Sequence, residues 1–90
     1  MADLDGIWNV ERVDGALPPM AGVRKVIRGS GGETRVWRLR MPFDVVGLEL
    51  RYRGPFRGLV DRLEPDGDGY RGRATVFGRG VGGFRLERLS

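Results

Sequence analysis

The chain predicts an all-β fold, an antiparallel up-and-down meander closed into a small barrel, and three observations carry that prediction. Sixteen Gly and five Pro cut 90 residues into short pieces, which leaves no room for long helices. Several of those pieces alternate apolar and polar residues, the period of a half-buried strand. Gly6-Ile7-Trp8 near the start is answered by Arg88 near the end. Such a pair plugs one end of a barrel, the indole as floor and the guanidinium across its face. The parity agrees: Trp8 is in phase with Gly6 and Val10, and Arg88 with Phe84 and Leu86.

About seven strands follow, at residues 6–13, 23–28, 34–41, 45–53, 59–64, 70–77 and 83–89. Gly29-Ser30-Gly31-Gly32 and Asp66-Gly67-Asp68-Gly69 supply the permissive φ of hairpin turns. Residues 78–83 form a third Gly-rich turn. The longest connection, 14–22, holds Gly15, Pro18 and Pro19 but also Leu17 and Met20, so it is expected to fold over a barrel end as a lid or short 3₁₀ turn. Hairpins in succession make a meander, and a closed meander is an up-and-down barrel. The inward face reads as Trp8, Val10, Val26, Trp37, Leu39, Met41, Phe43, Leu48, Leu50, Tyr52, Leu59, Leu63, Tyr70, Ala74, Val76, Phe84 and Leu86.

Residues 1–90 make one domain, small enough that its core is modest. The absence of Cys and His excludes disulfides, thiolate chemistry, the usual zinc ligands and the commonest general base. No metal and no cofactor is expected. The N-terminal residues lack the basic and apolar regions of a signal peptide, and no apolar run matches a membrane span; the expectation is a cytoplasmic protein with no membrane partner. A net charge of +4 raises nucleic acid as a partner. The basic residues, all Arg except Lys25, are interleaved with twelve acids rather than clustered, which disfavours it.

Asp61 falls between Leu59 and Leu63 in strand phase and so points inward. A buried carboxylate has to be paired or shifted in pKa; it is either a polar anchor for a ligand or half of a structural pair with an inward Arg. Arg12 shares the phase of Trp8 and is set either to capture a ligand carboxylate or to return its head to water at the barrel mouth. Tyr52 and Tyr70 end apolar stripes, with hydroxyls for a ligand or for the rim. Trp37 and Phe43, with Met41, form an apolar cluster that is core by default, or else a ligand wall or a dimer contact. Two look-alike signals fail: residues 78–83 lack a phosphate-loop pattern and a following helix, and Asp66 with Asp68 is only a fragment of a calcium loop.

Gly6-x-Trp8, the terminal-strand Arg88 and the run of hairpins between them resemble the calycin superfamily of lipocalins, fatty-acid-binding proteins and nitrobindin-like barrels. The resemblance covers the whole chain as architecture and two short motifs as sequence. The departure is length, since such barrels usually run well past a hundred residues. What it implies is a barrel that holds a small apolar ligand, with Gly6, Trp8 and Arg88 as structural barrel-end residues.

The leading functional expectation is therefore non-catalytic binding of a small apolar or amphipathic molecule, contacted by Trp37, Phe43, Tyr52, Asp61, Tyr70 and Arg12. An isomerase or cyclase using Asp61, Tyr52 or Tyr70 is the second reading, and a basic nucleic-acid binder the third. A homodimer is also expected, because seven short strands leave unpaired edges and the large apolar residues exceed what a small interior needs.

Overall fold

The computed structural model describes residues 4–17 and 20–90. Eight strands run in chain order around a closed antiparallel barrel: β1 (Gly6–Gly15), β2 (Arg24–Arg28), β3 (Gly31–Val36), β4 (Leu39–Val46), β5 (Glu49–Tyr52), β6 (Leu59–Asp66), β7 (Gly69–Val76) and β8 (Arg79–Arg88). A 3₁₀ turn, Gly54–Phe56, links β5 to β6. Strand β8 closes on β1, with Trp8 opposite Arg88 and Arg12 opposite Phe84. Among the described residues no helix is long and apolar enough to cross a membrane.

The eighth strand arises where a single strand, 34–41, was expected. The chain turns at Trp37-Arg38, between β3 and β4, with Trp37 at a φ of 57°. No Gly, Pro, Asn or Asp marks that turn, so the alternation reads straight through it. Another turn at Gly47-Leu48 splits the expected strand 45–53 into the end of β4 and all of β5. Closure removes the unpaired edges on which the expected dimer partly rested.

Closure also corrects the facing of particular residues. Trp37 is 90 % exposed at its turn instead of inward, and Phe77, on the β7–β8 turn, is 81 % exposed. Val26 points outward; Val23, Lys25 and Ile27 are the buried residues of that segment. Leu39 is half exposed at the rim.

Because strands alternate in direction, the β1–β2, β3–β4, β5–β6 and β7–β8 connections share one end of the barrel. The other end is sealed. Trp8, Ile27, Phe43, Leu50 and Leu86 are fully buried. Trp8 donates its indole N–H to Leu4 O at 2.9 Å and meets Tyr70 edge-on at 5.4 Å. The Arg88 guanidinium lies 4.3 Å from the Trp8 ring centroid. Two bulges, at Val13 on β1 and Val81 on β8, fall at the opposite end, where they bend the strands.

At that opposite end the described residues of the β1–β2 connection pack on the barrel. Ala16 N donates to Val81 O at 2.8 Å, and Val23 N to Met20 O at 3.0 Å. Leu17 and Met20 pack on the core, as a lid would. Pro18 and Pro19, part of that expected lid, lie outside the described residues.

Candidate functional site

Four polar side chains meet inside the barrel, one each from β2, β3, β5 and β6: Lys25, Thr34, Tyr52 and Asp61. Register brings them together. Lys25 is opposite Thr34 across β2–β3, Tyr52 sits opposite Phe43 on β4, and Asp61 is opposite Leu50 and Ala74. Each lies in the inward phase of its strand, among apolar neighbours.

Lys25 is 3 % exposed and Asp61 6 %. The Lys25 ammonium donates all three of its hydrogens: to Thr34 Oγ1 at 2.7 Å, to Tyr52 OH at 2.7 Å and to Asp61 Oδ2 at 2.9 Å. Tyr52 donates its single hydroxyl hydrogen to Asp61 Oδ2 at 2.9 Å. The 2.6 Å contact between Thr34 Oγ1 and Tyr52 OH then has Thr34 as its donor. The ammonium is further enclosed by the rings of Phe84, Tyr52 and Phe43, 5.3, 5.4 and 5.7 Å away, a favourable setting for a cation. The Phe84 ring reaches this position by lying over Gly72, where a Cβ would stand 2.2 Å from it.

The electrostatics follow from these contacts. Burial pulls the Lys25 pKa down, but the Asp61 carboxylate and the Tyr52 oxygen push harder the other way, and the net pKa lies above the ordinary 10.5. Burial pushes the Tyr52 phenol up, against the pull of Lys25, to a net value above its ordinary 10.0. Near neutral pH the lysine is a cation and the tyrosine a phenol. Neither is the free amine or phenolate that nucleophilic or base chemistry needs.

Above this cluster, toward the β1–β2 connection, a cavity of about 520 Å³ opens at the barrel end. Its walls are apolar: Val10, Leu17, Met20, Val23, Val36, Met41, Leu59, Ala74 and Phe84 among others. Its polar side chains are the four of the cluster and Thr75, whose hydroxyl donates to Val60 O at 2.8 Å. That volume falls in the range of small-molecule sites.

Of the sequence-nominated site residues, the cavity takes Tyr52 and Asp61. Asp61 is inward and paired, with Lys25 as partner in place of the expected Arg. Phe43 is buried beneath the cluster, edge-on to Tyr52 at 5.3 Å, and does not line the cavity. Tyr70 belongs to the sealed end, against Trp8. Trp37 stands outside on its turn. Arg12 is exposed at the rim and donates to Leu17 O at 3.0 Å, holding the start of the β1–β2 connection.

Lys25 and Thr34 escaped the sequence reading. Val23, Val26 and Ile27 leave two facings open for β2, and the 23/25/27 set carries two apolar residues against one for 24/26/28. That count, and the single Lys among so many Arg, were the available signals. Thr34 was hidden by the unmarked turn at Trp37, which put it on the outer face of a strand that does not exist.

The remaining charges sit mostly on outer faces. Arg35 meets Glu33 at 2.6 Å, Arg51 meets Glu49 at 2.9 Å and Arg85 meets Asp66 at 2.7 Å. Among the described residues no group of three or more acidic side chains is placed to hold a metal ion. Comparison of the chain with protein-family models, with curated proteins and with solved structures gave no match.

Proposed function

We propose that this barrel binds a small, largely apolar molecule in its end cavity without transforming it. The observation that carries the reading is the pairing of about 520 Å³ of apolar-walled space with one buried polar cluster at its base. A core built only for stability has no need of either. Space of this size forfeits packing contacts, and a buried ion pair is often no more stabilising than apolar residues of like volume. The cavity is built wholly from one chain, so binding asks nothing of a second copy. The enzyme reading loses support because Tyr70 lies in the sealed end against Trp8, while Tyr52 gives its one hydroxyl hydrogen to Asp61, which is itself paired with Lys25. The nucleic-acid reading loses it because many of the arginines are paired with acids on the barrel surface.

Native mass spectrometry of protein purified from its own host tests the proposal. A retained small molecule, released on denaturation, is the expected result. A bare protein mass that no added apolar compound shifts would refute it.

A further inference from the structure

We infer that the polar end of the bound molecule is an uncharged hydrogen-bond donor, a hydroxyl, seated on Asp61 Oδ1. The inference rests on the cavity being a binding site, and it follows from a count of donors and acceptors at the base. Every side-chain hydrogen there is already committed. Lys25 gives three, Tyr52 one and Thr34 one, all within the cluster, and Thr75 gives its own to Val60 O. The base therefore has no side-chain donor for a ligand carboxylate or carbonyl.

Among the acceptors left over, the lone pairs still open on the Thr34 and Thr75 hydroxyls are neutral, and the charged one belongs to Asp61. Asp61 Oδ2 takes hydrogens from Lys25 and Tyr52, while Oδ1 takes none among the described residues. No side-chain nitrogen or oxygen there is both fully buried and without a partner, so Oδ1 retains access to open space. For an inward residue that lines the cavity, that space is the cavity. A carboxylate oxygen held open in an apolar chamber accepts a hydroxyl hydrogen at good strength.

Charge excludes the two ionic alternatives. Lys25 and Asp61 already balance at 2.9 Å. A ligand carboxylate would place a second anion beside one cation, and a ligand ammonium a second cation beside one anion. Either would be a net charge in a low-dielectric enclosure. A neutral hydroxyl adds none. The connections at the open end do carry Arg38 and Arg57, with Arg79 opening β8 beside them, a setting for an anionic head at the rim, so the experiment has to separate the two orientations.

Isothermal titration calorimetry of the protein with decanol, decyl methyl ether and decanoate does so. The ether is decanol with its one donor hydrogen replaced, and decanoate carries the charge. Decanol should bind about tenfold or more tighter than either, because a site built to receive a hydrogen rejects the analogue that lacks it. In the doubly apolar variant Lys25→Met/Asp61→Leu, the decanol-to-ether ratio should fall to about one. Decanoate binding as tightly as decanol would overturn the inference and leave the cavity reading standing. So would a decanol preference that persists in the double variant. Failure of all three to bind would overturn both.

Discussion

A Cβ placed on Gly6 would stand 2.5 Å from Arg88 Nη1 and 2.6 Å from Ser90 O. Gly6 also has a φ of 138°, which side-chain-bearing residues rarely adopt. The first glycine of Gly6-x-Trp8 is thus the space through which the Arg88 guanidinium reaches the indole and the Asp5 carbonyl. Arg88→Ala should destabilise the fold by about 1–2 kcal/mol, through the lost cation–π contact and stem packing. Gly6→Ala should cost about 1–3 kcal/mol, and less when Arg88 is already Ala, with a coupling of about 0.5 kcal/mol or more. Urea midpoints of the two single variants and the double variant measure this. Strictly additive effects would separate the two residues.

The Lys25–Asp61 pair makes a sharper stability prediction. Lys25→Met or Asp61→Asn alone leaves one buried charge without its partner and should cost about 3–5 kcal/mol. Lys25→Met/Asp61→Leu removes both charges and should recover most of that loss. Chemical denaturation of the three variants checks it, and a double variant as unstable as the singles would contradict the assignment of the pair.

Stability should also fall at alkaline pH, and the sign is set by the two raised pKa values. The folded protein holds the Lys25 and Tyr52 protons more tightly than the unfolded chain does. Where the unfolded state has lost protons that the native state keeps, stability declines as pH rises. The contribution is therefore whole below the ordinary values of 10.0 and 10.5 and is lost above them. Denaturation midpoints from pH 8 upward should stay level and then drop from about pH 10. In Lys25→Met/Asp61→Leu the drop should be shallower.

Trp37 occupies the first position of a two-residue turn, with a φ of 57°, where Gly29, Gly47 and Gly67 stand in three other hairpins with φ of 58°, 61° and 61°. A side chain at positive φ is strained, and glycine is the residue this turn position favours. Trp37→Gly should raise stability by about 0.5–1 kcal/mol, after the loss of an exposed Arg38 stack at 5.3 Å. It should leave decanol affinity unchanged. Thermal denaturation and a repeat titration test the two halves, and a loss of affinity would return Trp37 to the ligand site.

The turn at Trp37 also marks where the amino-acid sequence stops being readable. The hairpins at Gly29-Ser30 and Gly67-Asp68 were legible because glycines cluster there and carry the positive φ themselves, whereas the lone Gly47 inside an apolar run was read as strand. At Trp37 tertiary closure imposes the same φ on a residue whose type says strand, and with it went the eighth strand, the facing of Thr34 and the closed edge. Trp8 and Arg88 were legible because their contact depends on parity alone. Asp61 was legible as inward from its two leucine neighbours. Its partner was not, because a one-residue slip in β2 exchanges Val26 for Lys25, and local pattern does not weigh a buried cation against the three oxygens that satisfy it.

Methyl-region NMR during a decanol titration shows whether a ligand sits in the end cavity. Saturable shifts are expected at Met20, Met41, Val10 and Ala74, which line the cavity, with smaller ones at Ile27 in the sealed end. Val46 and Leu89, exposed on the surface, should not move. Shifts confined to such surface methyls, or no shifts at any concentration decanol reaches in water, would mean that the cavity is not a binding site.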